Sequence, residues 1–303
     1  MSNVTSMPSP HYAPQTSVEP AIAPNRTARI GEMLVERGVM TLDQVERVLD
    51  VQRTNGGRFG EIAIRLKFAA NEHVQEALAR QFGYATTLHV QNSKLSDAFI
   101  EAFNPVTPFA EAIRTLRSQL TLRWFDGTPA QSCLAVTSVD RGDGKSFITA
   151  NLAASFSQLG ERTLVIDADM RNATQHQIFG LANRLGLSGI LSGRAGYDEI
   201  IPIQGLPNLS VLPSGPLPPN PQELLGRPEF AQFLNELTSR YDVILIDTPS
   251  AQQASDAQVV AQRARAAVIV GRKGVTRSKD IAQLAGIFGN SGIAILGATF
   301  NEY

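Results

Sequence analysis

The sequence predicts an α/β protein, a doubly wound and mostly parallel sheet preceded by a small all-helical tandem-repeat domain. Three observations carry this. Apolar, β-rich runs recur at residues 134–139, 163–166, 209–212, 243–246, 267–270 and 294–300, with helix-length segments between most of them. Alternation of that kind builds a parallel sheet with helices on both faces. The first run leads through a glycine-rich stretch, "VDRGDGKSF" at 139–147, into the helical "FITANLAASFSQL". Residues 29–81 nearly repeat themselves at an offset of 29.

Composition narrows the function classes. The chain has 303 residues, 43% of them apolar and 18% charged, enough for a large domain with a smaller module. Its formal net charge of −1 gives no reason to expect a nucleic-acid partner. The single cysteine, Cys133, cannot form an internal disulfide, which suits a reducing compartment. No apolar run nears the roughly 20 residues that cross a bilayer, and the first residues lack the order of a signal peptide. The expectation is a cytoplasmic protein that meets the inner membrane only through a partner.

In chain order, residues 1–28 are rich in Pro, Ser and Thr without apolar periodicity and read as a disordered tail. Residues 29–88 form the repeat domain. "RIGEMLVERGVMTLDQVERVLDVQ" (29–52) and "RFGEIAIRLKFAANEHVQEALARQ" (58–81) each place a short helical turn before a second helix. Thr41-Leu-Asp-Gln44 is a capping box, and Asn71 is the expected cap in the second copy. Residues 89–104 read as a linker, and 105–303 as the α/β domain.

The loop at 139–147 is close to the phosphate-binding signature Gly-x4-Gly-Lys-Ser/Thr, with Val139 in place of the first glycine. Such a loop offers amides and a helix N-terminus to phosphate, a lysine to its outer oxygens and a hydroxyl to Mg²⁺. Gly142 and Gly144 permit close backbone approach, while Lys145 and Ser146 supply the charge and the metal ligand. The expected side-chain direction of Asp143 is toward solvent, its amide toward phosphate. "RTLVIDADMR" reads as a buried strand ending in Asp167 and Asp169 on one face, and "YDVILIDTPS" as another ending in Asp247. Carboxyl ends of strands in a doubly wound sheet form its ligand crevice. Three carboxylates there suit Mg²⁺ coordination and activation of an attacking hydroxyl.

These stretches, with "EAIRTLRSQL", "NPQELL" and "VGRKGVTRSKD", resemble the bacterial tyrosine kinases of capsule and exopolysaccharide export, over roughly residues 105–303. Members of that family are P-loop proteins of MinD/ParA-like fold, and many lack the first loop glycine. Partitioning ATPases of the same fold carry a lysine five residues before the phosphate lysine, where this chain has Asp140. The resemblance implies that Gly142, Asp143, Gly144, Lys145, Ser146 and Phe147 bind ATP, with Asn301 near the adenine. It implies that Asp167 activates the tyrosine hydroxyl, and that Asp169 and Asp247 support the Mg²⁺ held with Ser146. Glu111, Arg114 and Arg117 fit the family's E-x-x-R-x-x-R element, which links subunits into a ring, a homo-oligomer. The implied partner is a membrane-embedded polysaccharide co-polymerase, a chain-length determinant. The family's tyrosine cluster is reduced here to Tyr303, a candidate phosphosite. Two readings therefore stand, a tyrosine kinase and a non-kinase ATPase switch.

The repeat resembles the N-terminal domain of type II secretion ATPases, a subset of which binds cyclic di-GMP through two such motifs. The resemblance implies Arg29, Gly31 and Gln52 in the first copy, and Arg58, Gly60 and Gln81 in the second, as ligand contacts. Arginine can stack on guanine or pair with phosphate, and glycine admits a ligand closely. Lys67 stands where the first copy has Gly38. The alternative is a helical module that only docks a protein.

Overall fold

The computed structural model describes residues 30–71, 73–74, 77–78, 95–96, 107–252 and 255–302. The tail expected over 1–28, and with it Arg29, Gln81 and Tyr303, lies outside the described residues. Helix α1 spans Ile30–Glu36, α2 Leu42–Asn55 and α3 Phe59–Arg65. α1 and α3 hold the same place in the two repeat copies, and the turns after them match. Val39 N donates to Leu34 O and Phe68 N to Ala63 O, each at 3.0 Å. Gly38 and Lys67 take the same left-handed position, with φ of 68° and 59°.

Thr41 completes its capping box, accepting from Gln44 N at 3.3 Å while Gln44 Oε1 accepts from Thr41 N at 2.9 Å. Asn71 does not cap the second copy, because it is already helical. Ala70 stands at the equivalent of Thr41, and its N–H donates to His73 Nδ1 at 3.4 Å. An alanine side chain accepts nothing, so only half of a box forms. Leu34, Val48, Ile62, Ala63 and Val74 bury together across the copies.

Helix α4 (Pro108–Arg123) opens with Thr107 accepting from Ala110 N at 3.1 Å and proline in its first turn. The α/β unit then runs β1 (Cys133–Ser138), α5 (Lys145–Ser157), β2 (Thr163–Asp167), α6 (Gln175–Ile178), α7 (Gly186–Leu191), β3 (Ile201–Pro202) and β4 (Leu209–Leu212). It continues through α8 (Pro221–Gly226), α9 (Pro228–Leu237), β5 (Val243–Asp247), α10 (Asp256–Ala264), β6 (Ala266–Arg272), α11 (Ser278–Asn290) and β7 (Ala294–Asn301). The seven strands lie in the order β3-β4-β2-β5-β1-β6-β7, all parallel except β3. All six expected strands are present. β3 was not expected: two residues, one of them proline, are too few to show a period.

Side chains alternate along each strand between two cores. Cys133 and Ala135 of β1 face the layer that holds Leu225, Phe230, Val260 and Leu284 of α8–α11. Leu134 and Val136 face the layer of Leu152, Phe156 and Ile113 of α4 and α5. α5 is buried along most of its length because α4 covers its outer side. Leu95, inside the expected linker, is buried in this second core, and Ser96 N donates to Ile178 O at 3.1 Å. Leu95 and Ser96 therefore pack with the α/β unit. Among the described residues no helix is long and apolar enough to cross a membrane.

Candidate active site

β1 lies between β5 and β6, and the strand order reverses there, as at the crevice of doubly wound sheets. β2, β5 and β1 are neighbours, and Asp247 pairs in register with both Asp167 and Val136. Three strand ends thus deliver the two aspartates and the loop to one place. Asp169 lies just beyond β2 rather than on its face, which corrects the expected pleat relationship. The chain turns at Asp167, whose Oδ1 accepts from Asp169 N at 3.2 Å, and this turn carries Asp169 into the site.

In the loop, Gly142 and Gly144 have φ of 90° and 89°, a region that favours glycine. Val139 needs no such freedom: among the described residues only Lys67 and Arg265 are left-handed without being glycine. Asp143 corrects another expectation, because its side chain turns inward and is 2% exposed. Its Oδ2 accepts from Asp140 N at 2.9 Å and its Oδ1 from the Thr276 hydroxyl at 2.7 Å. The acid closes the loop on itself and ties it to the turn after β6. A Cβ on Gly144 would overlap Asn301 Nδ2, so the end of β7 rests directly on the loop. Asp140, Arg141, Gly142, Ser250 and Arg272 line a cleft of about 460 Å³ over this surface.

Lys145 Nζ pairs with Asp169 Oδ2 at 3.2 Å, both largely buried. Burial alone would draw the Lys145 pKa down. The carboxylates of Asp247, Asp169 and Asp167 outweigh it and hold the ammonium above its ordinary value. Burial, joined by the Asp247 charge, holds Asp167 well above the usual carboxylate range. Burial also raises Asp247, against the pull of Lys145, of the nearby Ser146 hydroxyl and of the Gln175 hydrogen bond.

The three carboxylates do not converge on one ion. Among the described residues no group of three His, Cys, Asp or Glu side chains is arranged as a metal nest. Asp167 accepts backbone N–H bonds on both oxygens, from Asp169 on Oδ1 and from Thr174 and Gln175 on Oδ2, the latter two at 3.0 Å. Asp169 accepts from Asn172 N at 2.9 Å and from Lys145. Asp247 Oδ1 alone of the six oxygens is buried without a hydrogen-bond partner. That lone acceptor beside the Ser146 hydroxyl fits Mg²⁺, which uses one or two protein oxygens and completes its shell with water and phosphate.

The sequence reading missed Gln175 and Thr276. Nothing in "RNATQHQIFG" marks Gln175 apart from Gln177, yet Gln175 is fully buried against Ser146 and Asp247. Thr276 had a weak signal, a hydroxyl residue just before the helix in "GRKGVTRSKD".

Away from the loop, Phe147 packs on Phe109 of α4 with the rings tilted by 38° and their centroids 5.1 Å apart. Arg117 is 8% exposed, and its Nη1 donates to Ser155 O and Oγ at 2.8 and 2.9 Å. It fastens α4 to α5 inside the chain. Glu111 and Arg114 pair with each other on α4.

In the repeat domain, Gly31 and Gly60 are buried. A Cβ on Gly31 would stand 2.9 Å from Val45 Cγ1, and one on Gly60 would overlap Val74 Cγ1. The approach they permit within the chain is side chain onto helix. Arg58 is exposed just before α3, and Gln52 Nε2 donates to Gly57 O at 2.9 Å beside it.

A family model described as an AAA domain matches residues 131–270. The chain is 32% identical over 211 residues to the tyrosine-protein kinase YwqD of Bacillus subtilis, covering 70% of this chain and 88% of that one. It is 36% identical over 199 residues to the tyrosine-protein kinase Wzc of Salmonella typhimurium, of whose length it spans only 27%. The solved kinase domain of Escherichia coli tyrosine kinase ETK superposes with a TM-score of 0.63 at 32% identity, over 67% of this chain and 79% of that one. With the loop, its lysine and the strand-end aspartates in place, the chain belongs to the bacterial tyrosine-protein kinase family.

Proposed function

We propose that the chain transfers the γ-phosphate of ATP, with Mg²⁺, to tyrosine, on itself or on a partner, and so regulates exopolysaccharide polymerisation and export. The observation that carries this is the buried Lys145–Asp169 pair at the foot of the loop, beside Asp247 with its open Oδ1. Lys145 would exchange Asp169 for the β- and γ-phosphates, and the loop amides would hold the remaining oxygens. Ser146 and Asp247 would hold Mg²⁺, which neutralises charge developing between the phosphates. Asp167 is the proposed proton acceptor, since burial and Asp247 raise its affinity for a proton. Asn301 and the turn at Thr276 would flank the base.

The partner proposed is a membrane-embedded polysaccharide co-polymerase that holds this cytoplasmic protein at the inner membrane. Glu111 and Arg114 are the surface offered to a neighbouring copy in a ring. Incubation of the full chain with ATP and Mg²⁺, followed by phosphotyrosine mass spectrometry, tests the reading. Phosphotyrosine on Tyr303, on another tyrosine or on the partner supports it, with Lys145→Met blank. ATP hydrolysis with no phosphotyrosine anywhere would establish an ATPase switch instead.

The regulatory part of the proposal is that the repeat domain binds cyclic di-GMP. Arg58 and Gln52, close together at the junction of the two copies, support it. Calorimetry of the full chain with cyclic di-GMP is expected to show micromolar binding that Arg58→Ala removes. No heat would leave the domain as a protein-docking module.

A further inference from the structure

Gln175 is a neutral polar side chain, 0% exposed, bonded to Asp167, Ser146 and Asp247. It touches all three parts of the phosphate site. Its backbone N–H donates to Asp167 Oδ2 at 3.0 Å. Its side-chain Nε2 donates to Asp247 Oδ2 at 2.8 Å and to Ser146 O, in the first turn of α5, at 3.0 Å. Both hydrogens of the amide are thereby used, one on a carboxylate and one on the loop helix.

This arrangement fixes which Asp247 oxygen is engaged. Oδ2 takes the amide, and Oδ1 is left buried with no donor; Gln175 Oε1 is likewise buried with no donor. Buried acceptors without donors are costly and rare, and two on hydrogen-bonded partners point to one absent source of donors. Water bound to a cation is such a source, and outer partners of that kind orient a metal's ligands. A carboxylate at position 175 would add repulsion to three existing acids, and an apolar side chain would strand Asp247 Oδ2. The amide supplies donors on one side and an acceptor on the other without charge.

We infer that Gln175 is the positioning residue of the cation site, holding Asp247 with Oδ1 free and offering Oε1 to the cation's water. It touches neither the phosphates nor the reacting hydroxyl. The inference rests on the reading of this site as one for Mg²⁺ and ATP.

The test measures nucleotide binding rather than turnover. ATP affinity of the full chain is determined by calorimetry in EDTA and in excess Mg²⁺, for wild type, Gln175→Met and Gln175→Asn. Methionine keeps the volume and loses the donors, and asparagine keeps the amide but is too short to bridge both partners. Both are expected to bind ATP in EDTA within about twofold of wild type and to lose about tenfold or more of the Mg²⁺-dependent gain, the range seen for such outer partners. A thermal scan shows that each variant is folded, and either variant alone is sufficient. A Mg²⁺-dependent gain equal to wild type overturns the inference, as does an equal loss with and without Mg²⁺, which would make Gln175 a support of the loop alone. A wild type that binds no ATP at all overturns the kinase reading, and this inference with it.

Discussion

Single residues of the site were legible in kind but not in posture. Lys145, Ser146 and the three aspartates stood out because a glycine-rich loop and polar ends on apolar strands are local signals. Where Asp143 and Asp169 point depends on partners far along the chain, Thr276 for one and Lys145 for the other, and no spacing rule reaches that far. The buried acids also make a testable claim about stability. Burial raises the pKa of Asp247 in the folded protein above its unfolded value of about 4. A raised acid stabilises the fold at low pH, and that contribution is lost as pH climbs through the folded pKa. Asp247→Asn, with its amide oxygen in the place of Oδ2, should therefore raise the melting temperature of the metal-free protein. The gain is expected to be small near pH 4 and to grow toward pH 8, while the shift produced by ATP with Mg²⁺ shrinks. Thermal scans across pH would show it, and a gain independent of pH would refute it.

Elements were read more surely than residues, because period and caps are written into contiguous sequence. The six long strands and the Thr41 box needed no knowledge of the fold. Roles between elements were harder. Arg117 looked like one of three charges on an exposed face, yet it is buried against Ser155. Arg117→Ala should cost about 1.5–3 kcal/mol, the worth of hydrogen bonds to a charged group, in denaturant unfolding. An arginine serving only a ring contact would leave the monomer's stability unchanged. The repeat glycines give a second case. Gly60→Ala should destabilise the repeat domain by about 1–3 kcal/mol by driving a methyl into Val74. Lys67→Gly should stabilise it by about 1 kcal/mol, since a left-handed φ strains any side chain. Hydrogen exchange of the repeat helices in the full chain reads both changes, and opposite signs are required.

At the scale of the molecule, the order of strands could be guessed only as parallel and doubly wound; that β5 separates β1 from β2 comes from packing the sheet as a whole. The burial of Leu95 was likewise hidden, because it sits in a polar-looking stretch that no local pattern marks as core. Leu95→Ala should lower the melting temperature of the α/β unit by about 4 °C or more, from a loss of at least about 2 kcal/mol. A freely hanging linker would show no change in the same scan. The sheet order also sets a timetable. β1 is made first, but its neighbours β5 and β6 are made long after it; the Thr248 hydroxyl that bonds Val136 O is 112 residues downstream. During synthesis this strand has no partner, and a ribosome adding roughly 5–20 residues per second leaves it so for several seconds or more. Asp143 waits still longer for Asn301. The loop of a nascent chain is therefore open on the side of β7 until that strand is made, and its early strands are the ones that wait longest for partners.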